Sequence, residues 1–237
     1  MEQRSRKHIS LDTTLHPLPH QLPNLQQTLK TPTQTTNHRG DCTMAAVDRS
    51  QPSIEHATVD DIPEILAMIK ELAAYENEPS KVLATEDSLK RTLTFAPSHS
   101  GTVVHTNPGY AKTLILRLPA DPTHPDDKAS AVAGMAMYFN NYSTWRSKPG
   151  VYLEDLFVRP QYRKRGYGKF LIRALAQEVV RIDGGRLEWS CLKWNEPSLQ
   201  FYKSLGAERM DDWVQLRVDG EALVKLAFSD QKEEKKA

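Results

Sequence analysis

Regular apolar periods begin only after about residue 50 of this chain. Residues 54–59 read as a short strand. Asp60 or Asp61 then caps a helix in which Ile62, Ile65, Leu66, Ile69 and Leu72 recur at helical spacing. Pro63 falls in its first turn, where proline is tolerated. A second helix is predicted over residues 85–95, with Thr85 as its cap. Residues 97–109 hold Pro, Gly, Asn and His and read as a loop. Residues 112–118 and 131–142 read as hairpin strands, joined by a solvated stretch around residues 121–128. A strand over residues 151–158 follows, then an amphipathic helix over 166–182 carrying Phe170, Leu171, Leu175 and Val179. The rest reads as a strand (186–192), a helix (195–205) closed by Gly206, a last strand (213–218), and a short helix or turn through Leu223 and Leu226. The order is mixed α/β.

Composition adds limits. The chain has 237 residues and a formal net charge of +1. This predicts one domain over residues 51–229, with a charged tail at 230–237. Residues 1–50 are rich in Thr, Gln, Pro, His and Asn and read as a disordered polar tail, unable to bury enough surface to offset its ordering entropy. The histidines there (His8, His16, His20, His38) match no ligand spacing, so no metal is expected. Near-neutral charge gives no general attraction to nucleic acid, and no apolar run suits a membrane span or a secretory signal. The two cysteines, Cys42 in the tail and Cys191 in an apolar strand context, fit a reducing, cytoplasmic compartment better than a disulfide.

The chemistry concentrates in residues 151–169. An apolar strand runs into Arg163-Lys164-Arg165-Gly166-Tyr167-Gly168, which opens a helix. Glycines there let backbone N–H groups approach a ligand, and a helix N-terminus adds about half a positive charge. This suits phosphate. The third glycine of a dinucleotide fingerprint is missing, and so is the Gly-Lys-Ser/Thr of a Walker loop. A tight turn with a solvated basic face, or a small nucleic-acid patch, remains open on these residues alone.

Two downstream blocks narrow the choice. Trp194-Asn195-Glu196-Pro197-Ser198 and Phe201-Tyr202-Lys203-x-x-Gly206-Ala207 follow the Arg163-x-x-Gly166-x-Gly168 turn. Together these motifs resemble the GNAT acetyltransferases. The segments around Ile69–Glu76, Ala136–Phe139 and Tyr152–Val158 resemble the spermidine/spermine (diamine) acetyltransferase branch, with its thialysine-acetylating relatives. The resemblance covers about residues 54–227. It implies a central, twisted, mostly antiparallel sheet flanked by helices and splayed open between its fourth and fifth strands. It implies acetyl-CoA in that opening, a small di- or polyamine or amine-bearing amino acid as acceptor, direct attack in a ternary complex, and a homodimer. Acetylation of a protein lysine or N-terminus, and a non-catalytic acyl-CoA-binding scaffold, are the alternatives.

By the same resemblance the backbone of Leu156, Phe157 and Val158 pairs with the pantetheine arm. Arg163, Lys164, Arg165, Gly166, Tyr167, Gly168 and Lys169 cradle the pyrophosphate, and Asn195 and Ser198 contact the cofactor. Tyr202 is the expected proton donor to the departing thiolate, two helical turns from Asn195 and on the same face. Strand alternation would put Glu154 on one face with Tyr152 and Leu156, with Asp155 pointing the other way. Glu154 is therefore expected to bind and orient the amine, passing its proton through water. Tyr75 and Glu76 are expected to line the amine site. One of Asp211 and Asp212, and possible groove walls at Tyr142 and Trp145, complete an acid-rich groove suited to a polycation. Cys191 reads as a core residue rather than a nucleophile, having no paired histidine in sequence.

Overall fold

The computed structural model describes residues 51–97, 109–119 and 131–229. The expected polar tail, both loops' interiors, Cys42, the N-terminal histidines and the residue 230–237 tail lie outside the described residues. Six strands form one open sheet in the order β1-β3-β4-β5-β6, with β2 attached to β3. These are β1 (Ser53–His56), β2 (Leu93–Thr94), β3 (Ala111–Arg117), β4 (Val132–Ser143), β5 (Lys148–Val158) and β6 (Leu187–Trp189). The helices are α1 (Ile62–Tyr75), α2 (Glu86–Thr92), α3 (Tyr167–Arg181), α4 (Glu196–Ser204) and α5 (Gly220–Ala227).

The pairs β1–β3, β3–β4 and β4–β5 are antiparallel, while β2–β3 and β5–β6 are parallel. Two apolar cores sandwich the sheet. Leu114, Ala136, Tyr138, Val151 and Leu153 pack against Leu171, Leu175 and Val179 of α3. Ile115, Met135, Met137 and Phe157 pack against Ile62, Ile65 and Met68 of α1 and Leu89 of α2. Arg159 fastens α1 across the end of β5. Its guanidinium pairs with Glu64 at 2.8 Å and Glu71 at 3.0 Å and donates to the Val132 carbonyl at 3.0 Å.

Several expectations are corrected. The first strand ends at His56, because Thr58 and Asp61 close a capping turn in which Asp61 Oδ2 accepts the Thr58 amide at 2.8 Å. Asp61 also pairs with Arg117, so this acid locks the start of α1 to β3. The second helix stops at Thr92. Leu93 turns extended, buries its side chain and starts the short parallel strand β2. Residues 186–192 yield only the three-residue β6, and Cys191 lies just past it. No strand forms over residues 213–218, although the final helix does. Its side chains lie out in solvent, with Leu216 at 87% exposure. The segment pairs with none of the described strands.

The sheet opens where expected. β5 and β6, fourth and fifth along the main path, pair only at Val151↔Leu187, Tyr152↔Glu188 and Leu153↔Trp189. Beyond Leu153 they part, leaving that edge of β5 without a strand neighbour among the described residues.

Candidate active site

A phosphate-sized cradle begins where β5 ends. One 3-10 turn (Pro160–Tyr162) carries the chain into Arg163, whose Nε donates to the Val158 carbonyl at 2.8 Å. The Arg163 guanidinium lies 5.1 Å from the Tyr75 ring centre and 5.5 Å from that of Phe157. Lys164 and Gly166 both adopt left-handed backbone, at φ 62° and 82°. That reversal aims the amides of Tyr167, Gly168 and Lys169 out of the start of α3, ahead of its first closing bond, Phe170 N to Gly166 O at 3.0 Å. A Cβ on Gly166 would meet nothing within 4 Å, so the space before these amides is open. Gly168 is tighter, since a Cβ there would sit 3.4 Å from Phe201 of α4. Open space, three free amides, a helix N-terminus and nearby Arg and Lys side chains fit a pyrophosphate.

The free edge of β5 continues from this cradle. Leu156 and Val158 lean toward the α3 core, and Phe157 is buried on the α1 side. The Val158 carbonyl is engaged by Arg163, so Leu156 and Phe157 carry the more available backbone for an added strand.

A β-bulge reorganises the acids. Met137 faces Asp155 across β4–β5, and the next pair is Tyr138↔Leu153, so Glu154 has no partner. The extra residue breaks the alternation. Glu154 is exposed, while the adjacent Asp155 is half-buried. Burial, with the charges of Glu154 and Glu76, pushes the Asp155 carboxyl up to about 6. Burial also raises Glu76. The Cys191 thiol is raised by burial and then by the Glu76 charge. Burial, with a smaller effect of Cys191, pushes the Tyr202 hydroxyl up to about 12. Tyr202 packs against Trp189 and Phe201, with ring centres 5.0 and 5.2 Å away. Electrostatic influence thus links Glu76 to Asp155 and to Cys191, and Cys191 to Tyr202.

Other expected residues fall into place or out of it. Asn195 caps α4, its Oδ1 accepting the Ser198 amide at 3.4 Å and the Tyr75 hydroxyl at 3.2 Å. Tyr75 and Glu76 close the end of α1 beside this cap. Asp211 pairs with Arg209 at 3.0 Å, and both Asp211 and Asp212 are exposed. Trp145 and Tyr142 sit at the tip of the β4–β5 hairpin, where Trp145 is almost fully exposed. Neither pair lines the cleft beside Glu76. That cleft, of about 590 Å³, runs along Ile69, Glu78, Lys81, Trp194 and Arg217. Asp155, with its raised carboxyl, and Trp194 and Arg217, which line the cleft, were given no site role by sequence reasoning. Two adjacent acids in one strand were the only signal for the first.

Residues 105–207 match the Acetyltransferase (GNAT) family. The L-ornithine N5-acetyltransferase of Arabidopsis thaliana is 32% identical over 195 residues, covering 72% of this chain and 85% of that protein. The thialysine N-epsilon-acetyltransferase of Bos taurus is 32% identical over 178 residues, covering 73% of this chain and 96% of that protein. In fold, an integron cassette protein from the mobile metagenome of V. cholerae superposes with a TM-score of 0.55 at 24% identity, over 75% of this chain and 98% of that one. The splayed sheet, the amide cradle at α3 and these relatives agree: the chain belongs to the GNAT acetyltransferase family.

Proposed function

We propose that the chain transfers an acetyl group from acetyl-CoA to the primary amine of a small di- or polyamine or amine-bearing amino acid, by direct attack in a ternary complex. The observation that carries this reading is the opening between β5 and β6, with the amide cradle at the end of β5 and a half-buried Asp155 within that strand. Acetyl-CoA supplies a thioester whose carbon–sulfur bond is exchanged for a carbon–nitrogen bond. Arg163 to Lys169, the Leu156–Val158 edge, Asn195 and Ser198 would hold it.

The protein's own groups manage protons. An amine of pKa ~10.4 is ammonium at neutral pH, and freeing its lone pair costs about 4–5 kcal/mol. Asp155 and Glu76 bind that ammonium. With its carboxyl near 6, Asp155 is a better acceptor for the amine's proton than an ordinary carboxylate. Glu154, exposed in the bulge beside it, passes the proton on to solvent water. Tyr202 stays protonated at any working pH and offers its hydroxyl to the departing sulfur. Full transfer from a phenol near 12 to a thiolate near 8.5 is uphill by roughly 5 kcal/mol, so Tyr202 acts first as a hydrogen-bond donor. The Cys191 thiol is raised by burial and the Glu76 charge, the opposite of the lowered pKa that activates a nucleophile.

A cytoplasmic, reducing setting suits the free Cys191. A homodimer is supported by the exposed apolar run of Trp213, Val214, Leu216 and Val218, which a second copy would cover. No helix among the described residues is long and apolar enough to cross a membrane.

The test is thiol release from acetyl-CoA by the full chain against putrescine, spermidine, ornithine, lysine and thialysine. Amine-dependent release with an N-acetyl product is expected. Tight CoA binding without release by any of these amines would overturn the reading in favour of a scaffold.

A further inference from the structure

A second cavity lies on the α3 face of the sheet, with Leu114 and Tyr138 on the sheet side and Glu178 on the helix side. Its volume is about 330 Å³, at the small end of the range for ligand sites. Strand register and helical spacing explain its make-up. His56 is opposite Leu114 across β1–β3, and Lys112 is opposite Tyr138 across β3–β4. Across the gap, Phe170, Ala174, Gln177 and Glu178 recur at helical spacing along α3. None of the residues assigned above to acetyl-CoA or the amine lines this cavity.

Tyr138 is wholly buried, yet its hydroxyl makes no hydrogen bond among the described residues. A buried hydroxyl without an acceptor is costly, and such groups are ordinarily partnered. His56, Phe170 and Gln177 of the same lining are exposed, so the cavity joins the surface to this buried phenol. Charge selects the ligand. The one acid in the lining, Glu178, has both oxygens engaged by Arg181, at 2.6 and 2.7 Å, which leaves it poorly placed to hold an amine. Lys112 stands 5.9 Å from the centre of the Tyr138 ring, and its charge and that of Arg181 both act on His56. With Glu178 paired, the remaining field favours an anion. The apolar walls of Ile54, Leu114, Phe170 and Ala174 disfavour a bare inorganic one.

We propose that this cavity binds a small monocarboxylate with a compact apolar body, one carboxylate oxygen accepting the Tyr138 hydroxyl. Burial raises the Tyr138 phenol, so it keeps its proton to donate. Burial also holds the His56 imidazole below its ordinary value, so at neutral pH it is an uncharged ring with one N–H to donate. The Gln177 amide offers a further donor. A hydrogen bond to a charged acceptor is stronger than one between neutral groups, which favours the carboxylate over its amide.

Benzoate is the probe, with benzamide and benzylamine as its neutral and cationic counterparts. Calorimetric titration of the full chain, with and without CoA, should show one benzoate per chain. Benzoate should bind about ten-fold more tightly than either counterpart. CoA should change the benzoate Kd by no more than about three-fold, because the two sites share no lining residue. Tyr138→Phe removes only a hydroxyl that no described residue holds, so folding does not depend on it. The variant should bind benzoate about ten-fold more weakly. No saturable benzoate binding, equal binding of benzamide or benzylamine, displacement of benzoate by CoA, or an affinity unmoved in Tyr138→Phe would each overturn the proposal. The comparison of the three probes uses the unaltered protein, so it does not hang on the variant. Acetyl transfer is read in no arm, so the amine-acetylating reading stands or falls separately.

Discussion

The hydroxyl of Tyr75 donates to Oδ1 of Asn195 at 3.2 Å, joining residues 120 positions apart. The same oxygen accepts the Ser198 amide, so one atom caps α4 and anchors the end of α1. The Tyr75 ring also lies beneath Arg163 of the cradle and 6.1 Å from the Trp194 ring. Tyr75 therefore ties the end of α1, on the proposed acceptor side, to the cradle and the α4 cap, on the proposed cofactor side. Tyr75→Phe keeps the ring and removes the bond. It should cost about 1 kcal/mol of stability and raise KM for both substrates by a few-fold. Thermal unfolding and two-substrate kinetics check this. A rise confined to the amine would show that the bond does not couple the two halves.

Asp155 makes stability depend on pH. Its folded-state carboxyl lies near 6, above the ordinary 3.8, so the folded protein holds this proton more tightly than the unfolded chain. The stabilisation is full below about 3.8 and is lost as pH rises through 6. At pH 7.5 the ionised group then opposes folding by up to about 3 kcal/mol. Asp155→Asn should melt several degrees higher than the parent at pH 7.5, and the difference should vanish near pH 4. A difference independent of pH would refute the assignment of that strain to ionisation. Turnover of the same variant should fall if, as proposed, the group that opposes folding also receives the amine's proton.

These two residues mark how far the sequence could be read. Tyr75, Glu76, the Gly166 cradle and the Asn195 cap lie on helices or beside them, where local pattern and motif order suffice. The roles of Glu154 and Asp155 depend on a bulge created by the register between β4 and β5, which no local alternation reveals. A strand over residues 213–218 was expected from the run of the chain. Pairing to the sheet is a property of the assembled fold, and there the segment stays irregular and exposed. Arg217 went unnoticed for the same reason, since only the fold brings it to Lys81 and Glu76. β2 was hidden because two residues paired to β3 leave no period to detect.

Gly166 is required for its conformation rather than for room. It sits at φ 82°, and an added Cβ would meet nothing within 4 Å. Gly166→Ala should therefore cost about 1–2 kcal/mol through left-handed backbone alone. If that strain tilts the amides of α3, the Kd of desulfo-CoA should weaken by roughly 5- to 30-fold in calorimetry. Binding at parental strength would mean that the cradle amides do not hold the phosphates.

The Cys191 thiol is raised in part by the Glu76 charge and in turn helps raise the Tyr202 hydroxyl. Its position alone would suit an acyl carrier. Its chemistry does not, because burial and a neighbouring acid both oppose the thiolate. Cys191→Ala should keep turnover within about three-fold, and initial-rate plots should intersect as a ternary complex requires. Loss of turnover with parallel plots would establish an acyl-enzyme instead.

Tyr202 gives the sharpest test of the chemistry. Its hydroxyl is pushed up to about 12 by burial, so it remains a donor across the whole working range. No alkaline fall in rate below pH 10 should then come from this group. Tyr202→Phe removes only the oxygen, and the ring contacts with Trp189 and Phe201 can persist. Losing a hydrogen bond to developing negative charge on sulfur should lower kcat ten- to a hundred-fold, about 1.4–2.7 kcal/mol. The Kd for CoA should change little, because the donor acts on the leaving atom and not on the phosphates. The loss should also shrink with a thioester whose thiol is more acidic, since a better leaving group needs less help. A loss of the same size for every leaving group would assign Tyr202 to packing, and unaltered turnover would remove it from the reaction.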